Sequence, residues 1–391
     1  MGLIANSTTF VVQLKKLMNI GIVCYPTFGG SGVMATELGK ALADKGYTVH
    51  FITYQQPVRL EAFHPNIFYH EVTVPAYPLF DFPPYESALS STMVDVISNH
   101  NLDVLHVHYA IPHASSAYLA RQILAKKGIK IPYITTLHGT DITLVGKDKM
   151  YEPVVTFSIN ESDAITAVSE DLRNETLRSF VIEKEIHVIP NFVDIRRFSL
   201  TNKEHFRKLL APQGEKIMAH VSNFRKVKRV EDVVAVFQKV RERMPVKLLM
   251  IGDGPERPAI EQIVREGKHC DDVRFLGKQE KLEELLSITD LFLLPSAYES
   301  FGLAALEAMG CQVPVISSNA GGIPEINIHG VTGFLTPVGD IEAMAAHSID
   351  LLSDEVKLNQ FKQNALNQAQ RFNIDAIIPA YEKLYKSVVG Q

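Results

Sequence analysis

Cysteine is scarce in this 391-residue chain, and the three that occur, Cys24, Cys270 and Cys311, lie far apart. Such spacing argues against a disulfide framework or a cysteine-based zinc site. It favours a reducing compartment, so we expect the protein in the cytoplasm. No apolar run reaches the length of a transmembrane helix, and we expect no membrane partner. The formal net charge of −5 lacks the basic excess typical of nucleic-acid binding, so we expect no nucleic-acid partner either.

Several catalytic patterns are also missing from the sequence. The chain contains no Asp-x-Asp pair, which would hold a divalent metal against a nucleotide diphosphate. It also has no Gly-x-Ser-x-Gly elbow and no P-loop lysine pattern, so hydrolase and kinase functions have no support. We therefore predict a site without a bound metal.

Apolar strands alternate with helical segments twice along a chain that is 46% hydrophobic. This alternation predicts an α/β fold of two doubly wound, Rossmann-like domains facing a cleft. We expect the first domain over 18–195 and the second over 210–372, with the polar stretch 195–215 as a linker. A last helix, within 374–391, can cross back to the first domain. Residues 1–17 are interpreted as an N-terminal extension outside this scheme.

A glycine-rich segment follows the first strand. Gly30, Ser31 and Gly32 fit the G-x-G-x-x-A fingerprint of a phosphate-facing turn between a strand and a helix. In a dinucleotide-binding protein the next strand would end on an acid that holds the ribose, whereas here it ends on Gln55 and Gln56. A nicotinamide-dependent dehydrogenase is therefore disfavoured, and we predict no cofactor. The glycines still predict a backbone that approaches a ligand closely.

Two later segments have the chemistry of a phosphate site. Asn223 and a basic run that includes Arg225 and Lys228 follow a strand of the second domain, at the edge where α/β domains bind ligands. Glu299 lies just before a helix, and Glu307 about two turns into it. The free N–H groups at the start of that helix suit a phosphate, so the two acids are expected to contact ligand hydroxyls or orient the loop.

Histidines cluster after two strands of the first domain. His106 and His108 share a strand, His113 follows it, and His138 follows the next strand in the segment TLHGTDIT. A zinc site is disfavoured because no carboxylate or thiolate completes the set. We interpret His106 as a core residue and His138 as a polar group of the site.

From about residue 18 to residue 386, the chain resembles the retaining GT-B glycosyltransferases of family GT4. The resemblance is carried by the E-x7-E segment ESFGLAALE, the following AGGIPE, VSNFRKVKRVEDVV and LLMIGDGPE. Three further segments, CYPTFGGSG, HVHYAIPHA and TLHGTDIT, are similar to the members that transfer N-acetylglucosamine from UDP-GlcNAc to L-malate. That reaction begins bacillithiol biosynthesis and needs no metal. The resemblance implies the same fold and activity here.

The resemblance also implies a role for each matching residue. Arg225 and Lys228 would hold the donor diphosphate, Glu307 the ribose and Glu299 the sugar. The common family pattern has an arginine where this chain has Asn223, so the cationic role moves to Arg225. His138 would contact the reacting sugar, completing the catalytic set of His138, Arg225, Lys228 and Glu299. The implied donor-binding set is Gly30, Gly32, Asn223, Arg225, Lys228, Leu276, Glu299, Ser300, Phe301, Gly302, Leu303 and Glu307.

The acceptor is a dianion and needs donors or cations in the first domain. Our candidates are Ser31, Tyr109, Thr140 and Arg173. No nucleophilic carboxylate stands out for a double displacement, so we expect front-face attack that relies on positioning and on stabilisation of the leaving UDP. The alternatives are a different acceptor, such as an inositol phosphate or a lipid, and a catalytically silent protein that binds UDP-sugars. The sequence leaves open whether the chain forms a homo-oligomer.

Overall fold

The computed structural model describes residues 17–60, 63–74, 81–144, 146 and 148–390. Nearly all of the predicted N-terminal extension, 1–17, thus lies outside the described residues. The described chain forms two parallel sheets, each covered by helices on both faces. This is the doubly wound α/β arrangement expected from the alternation of strands and helices.

The first sheet has seven strands in the order β3-β2-β1-β4-β5-β6-β7. The chain passes outward from β1 to one edge and then returns past β1 to the other edge, which creates a switch point beside β1. Its strands are β1 Asn19–Val23, β2 Thr48–Thr53, β3 Ile67–Glu71, β4 Val104–His108, β5 Tyr133–Leu137, β6 Ala164–Ala167 and β7 Ile186–Val188. Its helices are α1 Gly30–Asp44, α2 Tyr85–His100, α3 Ser115–Lys126, α4 Glu152–Asn160 and α5 Glu170–Ser179.

The second sheet has six strands in the order β10-β9-β8-β11-β12-β13, with its switch point between β8 and β11. Its strands are β8 Lys216–Ser222, β9 Val246–Gly252, β10 Val273–Gly277, β11 Leu291–Leu294, β12 Val315–Ser318 and β13 Gly333–Thr336. The remaining helices are α6 Glu204–Leu210, α7 Val230–Arg241, α8 Arg257–Glu266, α9 Leu282–Leu286, α10 Leu303–Gly310, α11 Ile323–Ile326, α12 Ile341–Ser353, α13 Glu355–Arg371 and α14 Ile374–Val389.

The central strands, such as β1, β4 and β11, are fully buried, as expected for parallel sheets between helical layers, whereas the edge strands β3 and β10 are partly exposed. Helix α14, the last of the chain, packs against α1 and into the core of the first sheet through Tyr381 and Tyr385. Lys45 on the first-domain side donates to Glu382 of α14 at 2.6 Å. The exact domain boundaries stay predictions.

The structure differs from the sequence expectations in a few elements. The polar stretch 195–215, expected to be a linker, contains α6, which has no fully buried residue and so gives little hydrophobic signal. Helix α1 begins at Gly30, so the residues expected in a glycine loop form its first turn. No pattern in the sequence predicted β3, α2 or α4. In the part of the chain that the structure describes, no helix has the length and apolar character to span a membrane.

Candidate active site

The carboxyl ends of the two sheets face each other across two adjoining cavities of about 890 Å³ and about 510 Å³. This is the edge at which open α/β sheets bind ligands. Residues of both domains line the cavities, and Gly30, Asn223, Arg225, Lys228, Glu299, Gly302 and Leu303 line both. The predicted donor residues of the two domains, apart from Gly32 and Leu276, are therefore brought together.

The start of α1 forms the first-domain wall. A Cβ built on Gly30 would lie 3.8 Å from Cδ2 of Leu303, so the two domains approach closely at this glycine. Gly32 has a different position from the one we expected. A Cβ there would lie 2.3 Å from the carbonyl oxygen of Tyr25, and Gly32 is absent from the cavity walls. The absence of a side chain at Gly32 allows α1 to pack on the turn after β1.

The start of α10 forms the opposite wall. Gly302 caps this helix with φ +95°, a conformation that favours glycine. The first N–H groups of a helix have no partner within it, and the helix dipole adds positive potential at this end. The backbone N–H groups of Leu303 and its neighbours, at the amino terminus of α10, can therefore bind an anion in the cleft.

Lys228 and Glu299 form an ion pair beside that helix start. Lys228 Nζ lies 2.6 Å from Glu299 Oε1, which also accepts a 2.8 Å hydrogen bond from Ser296 Oγ. Both side chains are largely buried, at 20% and 13% exposure. Asn223 and Arg225 are exposed on the same wall. Two cations and a helix amino terminus thus surround one part of the cleft.

Glu307 pairs with a residue that no sequence motif predicted. Arg59, in the loop after β2, donates from Nη2 to Glu307 Oε1 at 2.9 Å. Glu37 on α1 lies 4.0 Å from Arg59 and 3.6 Å from Arg197, which extends the pair into a network. Burial raises the pKa of Glu307, and the facing Arg59 guanidinium opposes that rise.

His138 lies on the cavity wall as a neutral imidazole. Burial, with the neighbouring His106 and His113 rings, lowers the pKa of His138 to about 3. Its Nε2 lies 2.8 Å from His108 Nδ1, which leaves Nδ1 for a ligand. As expected, His106 is a core residue, bonded to Tyr385. At neutral pH, the His138 imidazole can form a hydrogen bond with a ligand but carries no charge.

A buried carboxylate organises the loop that carries His138. Asp141 accepts hydrogen bonds from the backbone N–H groups of Ala110, Gly139 and His138 at 3.0 to 3.3 Å. Burial raises the pKa of Asp141 to about 6, although these N–H groups oppose the rise. Asp141 thereby ties the end of β5 to the end of β4.

Three of the four predicted acceptor residues come together. The hydroxyls of Ser31 and Thr140 lie beside the Tyr109 phenol, close enough to affect its ionisation, as does the charge of Arg225. Arg173 lies elsewhere, on the half-exposed side of α5, where it pairs with Glu170 at 2.8 Å. It is not part of either cavity wall.

Leu276 likewise lies outside the cavity walls. It is half-buried on β10 and packs against the core, while the following residues Lys278 and Gln279 line the smaller cavity. The backbone oxygen of Leu276 accepts a 2.6 Å hydrogen bond from Gln279 Nε2. Any base-binding surface near this strand therefore involves the turn after β10 rather than the Leu276 side chain.

Direct hydrogen bonds hold the two domains together at the cleft. Ser300 Oγ donates to the carbonyl oxygen of His138 at 2.6 Å, and Ser169 Oγ donates to that of Ser300 at 2.6 Å. The Glu325 carboxylate accepts from the N–H groups of Glu170 and Asp171 at the start of α5. These contacts fix the helix start of α10 against the His138 loop.

Several wall residues were not predicted from the sequence. They come from the turn after β1, the start of α2, and isolated positions in both domains: Tyr25, Thr27, Arg59, residues 83–87, Asp141, Tyr151 and Asn191. The sequence offers two usable signals among these, because Tyr25 and Thr27 lie within the CYPTFGGSG segment and Asp141 lies within TLHGTDIT. No sequence signal indicated residues 83–87, since α2 itself was not predicted.

Known protein families match both halves of the chain. Residues 28–197 match the family described as Glycosyltransferase Family 4, and residues 201–368 match Glycosyl transferases group 1. Sucrose-phosphate synthase from Thermosynechococcus elongatus has a similar fold, with a TM-score of 0.80 and 24% identity over 95% of this chain and 99% of that one. HepE from Anabaena, in complex with UDP and glucose, is also similar, with a TM-score of 0.80 and 22% identity over 95% of this chain and 100% of that one. The predicted GT-B fold and glycosyltransferase class are confirmed.

A more similar relative narrows the identification. The N-acetyl-alpha-D-glucosaminyl L-malate synthase of Bacillus anthracis is 47% identical over 374 residues, which span 95% of this chain and 97% of that protein. The chain therefore belongs to the family of glycosyltransferases that includes this synthase.

Proposed function

We propose that the protein transfers N-acetylglucosamine from UDP-GlcNAc to the hydroxyl of L-malate, with retention of the anomeric configuration. The observation that supports this most is the cleft itself, together with the 47% identity to a synthase named for this product. The second-domain wall carries cations and a helix amino terminus, and the first-domain wall carries hydroxyls and a second helix amino terminus. Two anionic substrates can thus meet between them.

On the donor side, the diphosphate would lie at the start of α10. Lys228 and Arg225 would neutralise its charge, and the N–H groups around Leu303 would cap its oxygens. Fixed cations in a partly buried site stabilise the charge that develops on departing UDP without reorganising. This arrangement supplies the stabilisation from protein groups, and we propose that transfer does not require a divalent metal.

The two acids of the E-x7-E segment would contact donor hydroxyls. Glu299 is already oriented by Lys228 and Ser296, so its second oxygen can accept from a sugar hydroxyl. Glu307 would accept from the ribose. Arg59 holds the Glu307 carboxylate at 2.9 Å, and this positions the acid next to the smaller cavity.

On the acceptor side, the two carboxylates of malate need positive potential and donors. The N-terminal turn of α1 provides free N–H groups and the positive end of a 15-residue helix. The Ser31 and Thr140 hydroxyls and the Tyr109 phenol lie in the same part of the larger cavity, with Arg225 opposite. We propose that these groups bind malate, and that Arg173 does not.

The reaction breaks the bond between the anomeric carbon and the diphosphate oxygen and forms a bond from that carbon to the malate hydroxyl oxygen. Three acids line the larger cavity within the described chain: Glu86, Asp141 and Glu299. Asp141 is held by backbone N–H groups and Glu299 by Lys228, so neither is a free nucleophile. We therefore propose front-face attack, with the departing phosphate oxygen accepting the malate proton.

The Glu86→Gln variant tests this mechanism. Its rate of UDP release should stay within about tenfold of the wild-type rate, whereas a covalent intermediate on Glu86 would require a loss of several orders of magnitude.

The test is UDP release from UDP-GlcNAc with L-malate, D-malate, inositol 1-phosphate or no acceptor, each in the presence of EDTA. Release that depends on L-malate and survives EDTA supports the donor, the acceptor and metal-independent transfer together. Release with inositol 1-phosphate alone would overturn the malate assignment and keep the family. UDP-GlcNAc binding without release in any arm would favour the catalytically silent protein.

We propose that this reaction takes place in the cytoplasm. The three cysteines are unpaired, and Cys24 and Cys311 are buried, as expected for a chain that folds in a reducing compartment.

A further inference from the structure

Three histidines lie together on the first sheet, away from the cleft. His50 is on β2, His70 on the edge strand β3 and His100 at the last position of α2. In the parallel register His50 pairs with Phe68 and His70 with Ile52, so both histidines lie on the same face of the sheet. Helix α2 brings the His100 ring to that face, 4.7 Å from the His50 ring and 4.9 Å from the His70 ring.

One nitrogen from each ring converges on a common region. The three nitrogens lie within 4.8 Å of one another, and His50 Nδ1 is 2.9 Å from His70 Nε2. Tetrahedral zinc with ordinary Zn–N bonds places its ligand nitrogens about 3.3 Å apart. Displacements of about 1.5 Å at most therefore bring all three nitrogens to ligand positions, which small rotations of the rings can supply.

The cluster is also accessible to a metal ion from solvent. His50 is buried, His70 is half-buried and His100 is exposed, so the cluster is open to solvent on one side. The Asp95 carboxylate is near enough to raise the pKa of His70, and it can accept a hydrogen bond in an outer shell.

Aromatic stacking alone does not require this arrangement. His50 stacks on Phe68 with ring centroids 4.9 Å apart, and any aromatic ring would serve that contact. A hydrogen bond joins His50 Nδ1 to His70 Nε2, and a nitrogen of His100, from a third element, converges on the same region, which is an arrangement that a metal ion can use. Because the set contains imidazoles without a thiolate, it suits zinc, nickel or copper rather than magnesium or calcium.

We propose that His50, His70 and His100 bind one Zn²⁺ ion, with a water molecule in the fourth position. The ion ties the edge strand β3 to β2 and to the carboxyl-terminal end of α2. The opposite end of α2 and the two prolines before it line the larger cavity, over residues 83–87. At 1.5 Å per residue, the helix separates His100 from Ser87 by about 20 Å, so the ion stabilises the first domain and takes no part in transfer.

The test measures zinc binding directly, on full-length protein without a polyhistidine tag. The protein is stripped with a chelator, dialysed and titrated with Zn²⁺ by calorimetry, and its thermal unfolding is followed with and without the ion. We compare the wild type with His100→Gln and His70→Gln, and with His205→Gln as the control. His100 and His205 are both exposed helical histidines, so neither change threatens the core.

We expect one equivalent of Zn²⁺ for the wild type and for His205→Gln, with a rise in the unfolding temperature for both. The other two variants should bind more than about 100-fold more weakly, because even loss of an outer-shell partner costs 10- to 100-fold. Metal-free His100→Gln should unfold at the wild-type temperature, which separates lost binding from a damaged fold. Unchanged zinc affinity in His100→Gln, an equal loss in His205→Gln, or no binding by the wild type would each overturn the proposal.

Discussion

Replacing Lys228 by methionine removes one of the cations on the second-domain wall of the cleft and keeps the length of the side chain. Lys228 Nζ is 2.6 Å from Glu299, and the two side chains are 20% and 13% exposed. Loss of one fixed group that stabilises charge in a transition state typically lowers kcat by 10² to 10³, or about 2.7 to 4 kcal/mol. We expect a loss of that size in kcat. The free energy of unfolding should fall by about 1 to 3 kcal/mol, because Glu299 is left without a counter-charge. The hydrogen bond that Glu299 keeps to Ser296 limits this loss.

The assay is steady-state UDP release, together with calorimetric binding of UDP. Lys226→Met is the matched control, since Lys226 lies on the same short helical turn but is exposed and outside both cavity walls. Charge develops on UDP as it leaves, so kcat should fall more than UDP affinity. If Lys228→Met keeps kcat within about threefold, or if Lys226→Met loses as much, Lys228 does not stabilise the leaving group.

Three further predictions concern the helix start, the acceptor and pH. Gly302→Ala places a Cβ 3.1 Å from Ile326 at φ +95° and should lower kcat. The control is Gly330→Ala, at φ +74° in open space, which should reduce the stability of the fold by a similar strain of about 1 to 2 kcal/mol without a loss of activity. Ser31→Ala should raise the KM for L-malate roughly tenfold while Arg173→Ala leaves it unchanged, and equal effects would refute the acceptor assignment. The folded pKa of Asp141, about 6, lies above its unfolded value, so protonated Asp141 favours the folded state. Relative to Asp141→Asn, wild-type stability should therefore fall by up to about 3 kcal/mol from pH 4 to pH 7 in denaturant titrations, and a rise would contradict this sign.

The sequence was informative where a motif is local. The E-x7-E spacing indicated that Glu299 and Glu307 flank a helix start, and the structure has Glu299 before α10 and Glu307 within it. The basic run placed Arg225 and Lys228 at the carboxyl end of a strand, and they line the cleft. In each case the residues and the element that positions them are neighbours in the chain.

Contacts between distant segments were not predictable in this way. Arg59 and Glu307 are 248 residues apart, and nothing in the loop after β2 indicates that pairing. The bond between His108 and His138 depends on the register of β4 and β5, in which His108 pairs with Thr136. With a period of two, His138 then continues on the face of Thr136, so a known register would have indicated the contact.

The central claim is transfer of N-acetylglucosamine to the L-malate hydroxyl with retained configuration. The most direct measurement is proton NMR of the product isolated from UDP-GlcNAc and L-malate, which reports both the linkage and the configuration at the anomeric carbon. We predict a glycoside at the malate hydroxyl oxygen with the small H1–H2 coupling of an α-linkage, as in the donor. A large coupling, a glycosyl ester at a malate carboxylate, or free N-acetylglucosamine as the main product would contradict the account.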